Sequence, residues 1–195
     1  VDAPIIVFGG GEIDSSTTGD GDAGNLIIRT GHLNLGTGQI SSTTSGAGNA
    51  GSILVETNNA NLTGGSITSS ALDGATGNAG SVTVGAANAM RVSNGSTVAA
   101  STAGPGDAGN VVVTARDALI QSAAQISSSA LAGSTGDAGN VTVTASGLLQ
   151  VDDGASISAS TDATGDAGSV TATAQNLMMD GGQISSSTSD SGAAG

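Results

Sequence analysis

The 195-residue chain contains no cysteine, tryptophan, tyrosine or lysine, one phenylalanine and one histidine. The missing cysteine excludes a disulfide scaffold and thiol chemistry. The missing aromatics exclude the large-residue core that an ordinary globular domain of this length builds. Positive charge is scarce too. Arg29, Arg91 and Arg116 stand against 16 acidic residues, for a net charge of −13. That balance argues against nucleic acid, whose phosphates demand a basic surface, and against anionic membrane surfaces. No apolar run approaches the length needed to span a bilayer. The short run Ile5-Ile6-Val7-Phe8 lacks the basic segment of a signal peptide. Few bulky residues and only 10% charged residues are a disorder-like composition. Against disorder stand a mean hydropathy of +0.15 and only two prolines, Pro4 and Pro105.

What the chain has in abundance is glycine, 33 residues, with Ser, Thr, Ala, Asn and Asp filling most of the rest. These residues are ordered by a repeat. The motif Gly-[Asp/Asn]-Ala-Gly-[Asn/Ser] starts at Gly21, Gly48, Gly77, Gly106, Gly136 and Gly165, at intervals of 27, 29, 29, 30 and 29 residues. A degenerate copy, Gly192-Ala193-Ala194-Gly195, follows 27 residues later.

Each unit carries three short apolar runs. The first, directly after the motif, is Leu26/Ile28, Ile53/Val55, Val82/Val84, Val111/Val113, Val141/Val143 and Val170/Ala172. The second is Leu33/Leu35, Ala60/Leu62, Met90/Val92, Ala118/Ile120, Leu149/Val151 and Leu177/Met179. The third is one aliphatic opening a Ser-rich stretch: Ile40, Ile67, Val98, Ile126, Ile157 and Ile184. The N-terminal stretch fits the same frame with Ile6/Phe8 inward and then Ile13. A spacing of two puts both members of a pair on one side of a strand, and glycine at this density would break a helix.

Three one-sided strands separated by glycine-rich corners describe one coil of a parallel β-helix. A lone coil cannot bury its own apolar side, so coils must stack and share a narrow core. The expected fold is all-β: a single right-handed parallel β-solenoid over residues 1–195, with six to seven coils of about 29 residues each. The length variation falls in loops, which project without disturbing register. The chain begins within a coil and ends inside a motif, so both ends are expected to be uncapped, with stacking on a further copy or continuation of the solenoid.

Stacking converts the repeat into columns. Asn25, Ser52, Ser81, Asn110, Asn140 and Ser169 form a column expected to hydrogen-bond from coil to coil. Inward Ser42, Ser69, Ser128 and Ser186 alternate with Ala100 and Ala159, which marks a corner of the core that needs small residues.

Units such as Gly136-Asp137-Ala138-Gly139-Asn140-Val141-Thr142-Val143-Thr144-Ala145, followed by Leu148-Leu149 and Ile157-Ser158-Ala159-Ser160, resemble the repeats of filamentous-haemagglutinin-like exoproteins. These are secreted passengers of two-partner secretion, and the resemblance covers essentially the whole chain. It implies export to the surface of a Gram-negative bacterium and display as a β-helical adhesive fibre. Host or cell-surface glycans are the partners it suggests. No secretion domain or receptor-binding module is recognisable, so the resemblance points to a shaft segment.

The residues offer little chemistry beyond that. His32, beside Asn34 and Arg29, has no evident catalytic partner, and the abundant serines lack a His–acid constellation to activate them. Polysaccharide-cleaving β-helices gather acids, bases and aromatics on one face, and this chain has no such supply. Asp152-Asp153 point to opposite sides of a strand or form a turn. No catalytic or cofactor-binding residue is therefore assigned, and an enzyme is not expected.

Calcium is the strongest metal candidate. Asp22, Asp107, Asp137 and Asp166 share a column with Asn49 and Asn78, and calcium takes such oxygen ligands. The motif is not the Gly-Gly-x-Gly-x-Asp calcium nonapeptide, and Asp and Asn equally suit a tight, solvent-facing turn. The Ser-rich strand presents Ser41/Thr43, Ser127/Ser129, Ser158/Ser160 and Ser185/Ser187 outward, a hydroxyl face of the kind that binds ice or carries glycans. Two function classes follow: an extracellular structural or adhesive solenoid, and a binding module for calcium, carbohydrate or ice built on the same rod.

Overall fold

The computed structural model describes residues 3–162, 164–189 and 191–195. The chain forms a β-solenoid of about 7 turns with about 28 residues per coil and three strand segments in each. The first two segments of a coil are continuous as strand from β3 on, so they form one long strand bent at a corner. The long strands are β3 (Leu26–Leu35), β5 (Ile53–Thr63), β7 (Val82–Ser93), β9 (Val111–Ile120), β11 (Val141–Asp152) and β13 (Val170–Asp180), and β1 (Pro4–Val7) pairs along the second half of β3 alone. The third segments are β2 (Glu12–Thr17), β4 (Gln39–Thr44), β6 (Ser66–Ala71), β8 (Thr97–Thr102), β10 (Gln125–Ala130), β12 (Ser156–Thr161) and β14 (Gln183–Thr188). They assemble into two seven-stranded parallel sheets, one of odd-numbered and one of even-numbered strands, each in sequence order along the rod. We call the two halves of the long strands walls 1 and 2, and the short strands wall 3.

The bend between walls 1 and 2 is visible as a slip in the side-chain alternation. Thr57 and Ala60 both point inward although three residues separate them, and the register of β5 on β7 shifts at this point. Ala86 to Met90 and Ala145 to Leu149 span one residue more, and the corner absorbs it while the registers of walls 1 and 2 resume intact. The repeat therefore tolerates unequal coil lengths without moving an inward residue.

Inward residues stack in single file. Leu26 pairs with Ile53, Val82, Val111, Val141 and Val170 in succession, and Ile28 heads the parallel column Val55, Val84, Val113, Val143 and Ala172. Wall 3 contributes the column from Ile13 through Ile40, Ile67, Val98, Ile126 and Ile157 to Ile184. The core is thus narrow and aliphatic, and Leu62, Ile67, Val84, Val111, Leu149 and Ile157 are wholly buried. Each such side chain contributes about 1.5–3 kcal/mol on burial. A column earns this only because the coils on either side cover it.

The N-terminal stretch departs from the frame expected of it. Pro4 pairs with His32 and Val7 with Leu35, which turns Ile5 and Val7 inward and leaves Ile6 and Phe8 exposed. Both pairs are apolar, so alternation alone does not choose between them, and a one-residue slip exchanges the faces. Pairing to β3 makes the choice. The Phe8 ring then lies over Gly36, whose missing side chain leaves room for it.

The small residues of wall 3 have a specific task. The Ser69 hydroxyl accepts the amide of Gly80 (2.8 Å) and donates to the carbonyl of Gly51 (3.0 Å), so it ties two successive motif glycines to the inside of the wall. Ser128 repeats this with Gly139 and Gly109, and Ser186 with Gly195 and Gly168. Ala100 and Ala159 fill the same column by size alone.

Candidate functional site

The Asp/Asn column at the motif corner is the first candidate. Its geometry is regular. Asn49 donates its backbone amide to Asp22 Oδ1 (2.7 Å), Asn78 to Asn49 Oδ1 (2.9 Å), and Asp107 to Asn78 Oδ1 (2.7 Å). The series continues from Asp137 to Asp107 Oδ1 (3.0 Å), Asp166 to Asp137 Oδ1 (2.7 Å) and Ala193 to Asp166 Oδ1 (2.7 Å). Each side chain therefore caps an amide of the next coil where the corner offers no strand partner. In return, each Asx carbonyl from the second coil on accepts the amide of the motif alanine one coil earlier, as in Ala108 to Asp137 (2.9 Å). A hydrogen bond of this kind contributes about 0.5–1.5 kcal/mol, so the column has a structural task at every coil.

Three residues further along, a second column does the same work. Asn25 Oδ1 accepts the Ser52 amide (2.8 Å), Asn110 Oδ1 that of Asn140 (2.8 Å), and Asn140 Oδ1 that of Ser169 (2.8 Å). Ser52 and Ser81 substitute with longer contacts of 3.2 and 3.3 Å. The expected coil-to-coil bonding is present, with the backbone amide as its donor.

Asp107, Asp137 and Asp166 stand on consecutive coils, about 4.8 Å apart along the rod. Among the described residues no three acidic or histidine side chains converge in the arrangement that surrounds a metal ion. The column runs in single file, and one oxygen of each carboxylate already accepts an amide.

The other singled-out residues are scattered. His32 is exposed, with Nδ1 3.4 Å from the side-chain nitrogen of Asn59. Arg29 pairs with Glu56 (2.5 Å), both exposed. Asp153 lies in a turn at φ 50°, while Asp152 accepts the amide of Asp180 (3.1 Å) and contacts the Gln150 side chain. These groups sit on different faces and do not form a constellation.

The outward faces of walls 1 and 3 are the remaining candidates. Wall 3 presents an unbroken hydroxyl column: Ser16, Thr43, Ser70, Ser101, Ser129, Ser160 and Ser187. Several of these hydroxyls bond one another, as in Thr43 to Ser16 (2.9 Å) and Ser70 with Ser101 (3.0 Å). Ser41 donates to Asp14 (2.7 Å) in the neighbouring column.

Wall 1 holds an array that attention to the Ser-rich strands passes over. Its outward positions form two columns, Ile27–Leu54–Thr83–Val112–Thr142–Thr171 and Arg29–Glu56–Gly85–Thr114–Thr144–Thr173, in which the threonines lie in the later coils. The signal was available in the residues that alternate with the inward pairs, as in Val141-Thr142-Val143-Thr144. Comparison with protein-family models, curated proteins and solved structures returns no match.

Proposed function

We propose that this chain is a structural or adhesive β-solenoid, a shaft segment or filament-forming subunit of a secreted fibre at the surface of a Gram-negative bacterium, without catalytic activity of its own. One observation carries the reading: the repeated residues are spent on stacking. Motif glycines, the Asp/Asn column, the Asn/Ser column and the inward serines all serve coil-to-coil contact. The resemblance to filamentous-haemagglutinin-like repeats supports the same role.

Self-association, or continuation of the solenoid, is the partnership this role implies. A second reading, a binding face on the same rod, is favoured by the outward columns of wall 1.

Negative-stain electron microscopy of the purified chain, with calcium and with chelator, tests the proposal. Long uniform fibres are the expected result for a filament subunit, and isolated rods about 30 Å long, from six spacings of about 4.8 Å, for a shaft segment. Fibres that form only with calcium would make the Asp column a ligand site. Saturable binding of a ligand by a strictly monomeric rod would overturn the reading in favour of a binding module.

A further inference from the structure

We infer that the cavity on the outward face of wall 1, between Glu56 and Arg116, binds a sugar that carries one carboxylate, such as a uronic acid residue. This rests on the binding-face reading and is independent of whether rods join end to end.

The cavity arises where side chains are small or missing. Glu56, Gly85 and Thr114 follow one another in an outward column, and Gly85 leaves a notch between its two neighbours. Beside the notch, β7 carries one residue more than β5 between its inward positions, and Ala87 is exposed there at the corner. Arg116 and Ser146, from the next two coils, complete the lining. The result is a shallow cavity of about 350 Å³, within the size range of small-ligand sites.

Charge then narrows the ligand. Glu56 gives Oε2 to the Arg29 guanidinium (2.5 Å), which offsets its charge and leaves Oε1 as an acceptor. Arg116 has no comparable partner. Its side chain is 70% exposed, and its one acidic contact among the described residues is from Nε to Asp117 at 3.7 Å. The two terminal amino groups of that guanidinium are therefore open to a planar anion, which they grip at two points. One arginine suits one such anion. A chain of net charge −13 repels ligands that bring several negative charges more strongly than it repels a single carboxylate.

The rest of the lining suits hydroxyls. Thr114 and Ser146 carry hydroxyl groups, which both donate and accept, and Glu56 Oε1 accepts. The apolar part is mainly alanine methyls, with no aromatic, leucine, isoleucine or valine to hold a fatty or aromatic acid. A polyhydroxylated ring with one carboxylate meets these groups together. Its carboxylate lies on Arg116, its hydroxyls reach Thr114, Ser146 and Glu56, and its C–H face rests against Ala87. Because the cavity is shallow, the neighbouring sugars of a longer glycan have room to leave it.

The test follows ligand signals by saturation-transfer NMR, which reads rods and fibres alike, with circular dichroism as the check on folding. Methyl β-glucuronide should bind the full chain saturably, and methyl β-glucoside and acetate should each bind about tenfold more weakly or worse. Arg116→Gln should weaken glucuronide binding about tenfold or more. Gly85→Leu should abolish it. A Cβ at that position meets only Thr114 Oγ1 at 3.4 Å and the Val55 carbonyl at 3.8 Å, so the side chain fills the cavity without strain. Thr142→Leu, outward on wall 1 but outside the cavity, should leave binding unchanged. No binding by folded wild type, or glucoside or acetate binding as tightly as glucuronide, overturns the inference. Loss of binding in folded Thr142→Leu overturns it as well. Undiminished binding in either folded cavity variant overturns it while leaving a binding face elsewhere on the rod. Arg116→Gln, at an exposed position, decides the matter if Gly85→Leu does not fold. Fibre formation is read separately in the microscope, so the two readings fail separately.

Discussion

A methyl group at Gly136 would lie 2.0 Å from the carbonyl oxygen of Gly106 and 2.5 Å from its carbon. Neighbouring coils meet backbone to backbone at this corner, and only hydrogen fits between them. Gly139 stands in the same relation to Gly109. Gly136→Ala should therefore cost about 3 kcal/mol of stability, since the stacked backbone cannot yield as a side chain does. Gly21 opens the same motif but has nothing within 4 Å of its Cβ position. Gly21→Ala should change stability by no more than about 0.5 kcal/mol. Urea unfolding midpoints of the two variants compare them directly. Equal losses would show that glycine is needed there for backbone conformation rather than for space.

The turn between walls 2 and 3 is the element with most to gain from substitution. In several coils it is a two-residue turn with both central residues at positive φ: Gly9-Gly10, Asn94-Gly95, Ser122-Ala123 and Asp153-Gly154. These are type I′ geometries, which favour Asn, Asp and Gly. The i→i+3 bonds close at Ser96 to Ser93 (3.2 Å), Ala124 to Gln121 (3.2 Å) and Ala155 to Asp152 (2.9 Å). Ser122-Ala123 departs from the preference, with φ of 55° and 58°. Alanine carries a left-handed penalty that glycine avoids, so Ala123→Gly should stabilise the protein by about 1 kcal/mol. Its amide bond to the Asp153 carbonyl (2.9 Å) needs no side chain and is kept. A lower thermal midpoint in this variant would show that the turn relaxes elsewhere. The same geometry accounts for Asp152-Asp153: Asp153 is a turn residue and Asp152 an acceptor for the next coil.

Across the whole molecule, acidic residues gather at corners and leave most of wall 3 uncharged. Among its outward positions only Glu12 and Asp14, both in the first coil, carry charge. Stacking forces Asp107, Asp137 and Asp166 into one column, where like charges repel and salt screens them. Asparagine offers the same acceptor oxygen, as Asn49 and Asn78 show in that column. Asp137→Asn should therefore raise the thermal midpoint at low ionic strength, with the gain shrinking as sodium chloride is added. A lower midpoint would mean that the negative charge itself is required, as it is for a cation ligand.

Much of this architecture was legible in the repeat. Spacing of two between Val141 and Val143, and recurrence of the pair about every 29 residues, require strands that bury one side and coils that supply the cover. The inward columns of walls 1, 2 and 3 follow from that pattern wherever one face is clearly apolar. At Ile5-Ile6-Val7-Phe8 both faces are apolar, and only pairing with β3 decides that Ile5 and Val7 enter the core. The partners of polar side chains were likewise out of reach, because a column identifies neighbours but not donors. Tertiary structure decided that the Asp and Asn oxygens cap backbone amides of the next coil, and that inward serines clasp motif glycines. It also decided which outward residues stand in register from coil to coil, on wall 1 as on wall 3. The physical reason is common to all three: periodicity sets which way a side chain points, whereas the atoms it meets depend on coils about 29 residues away in the chain.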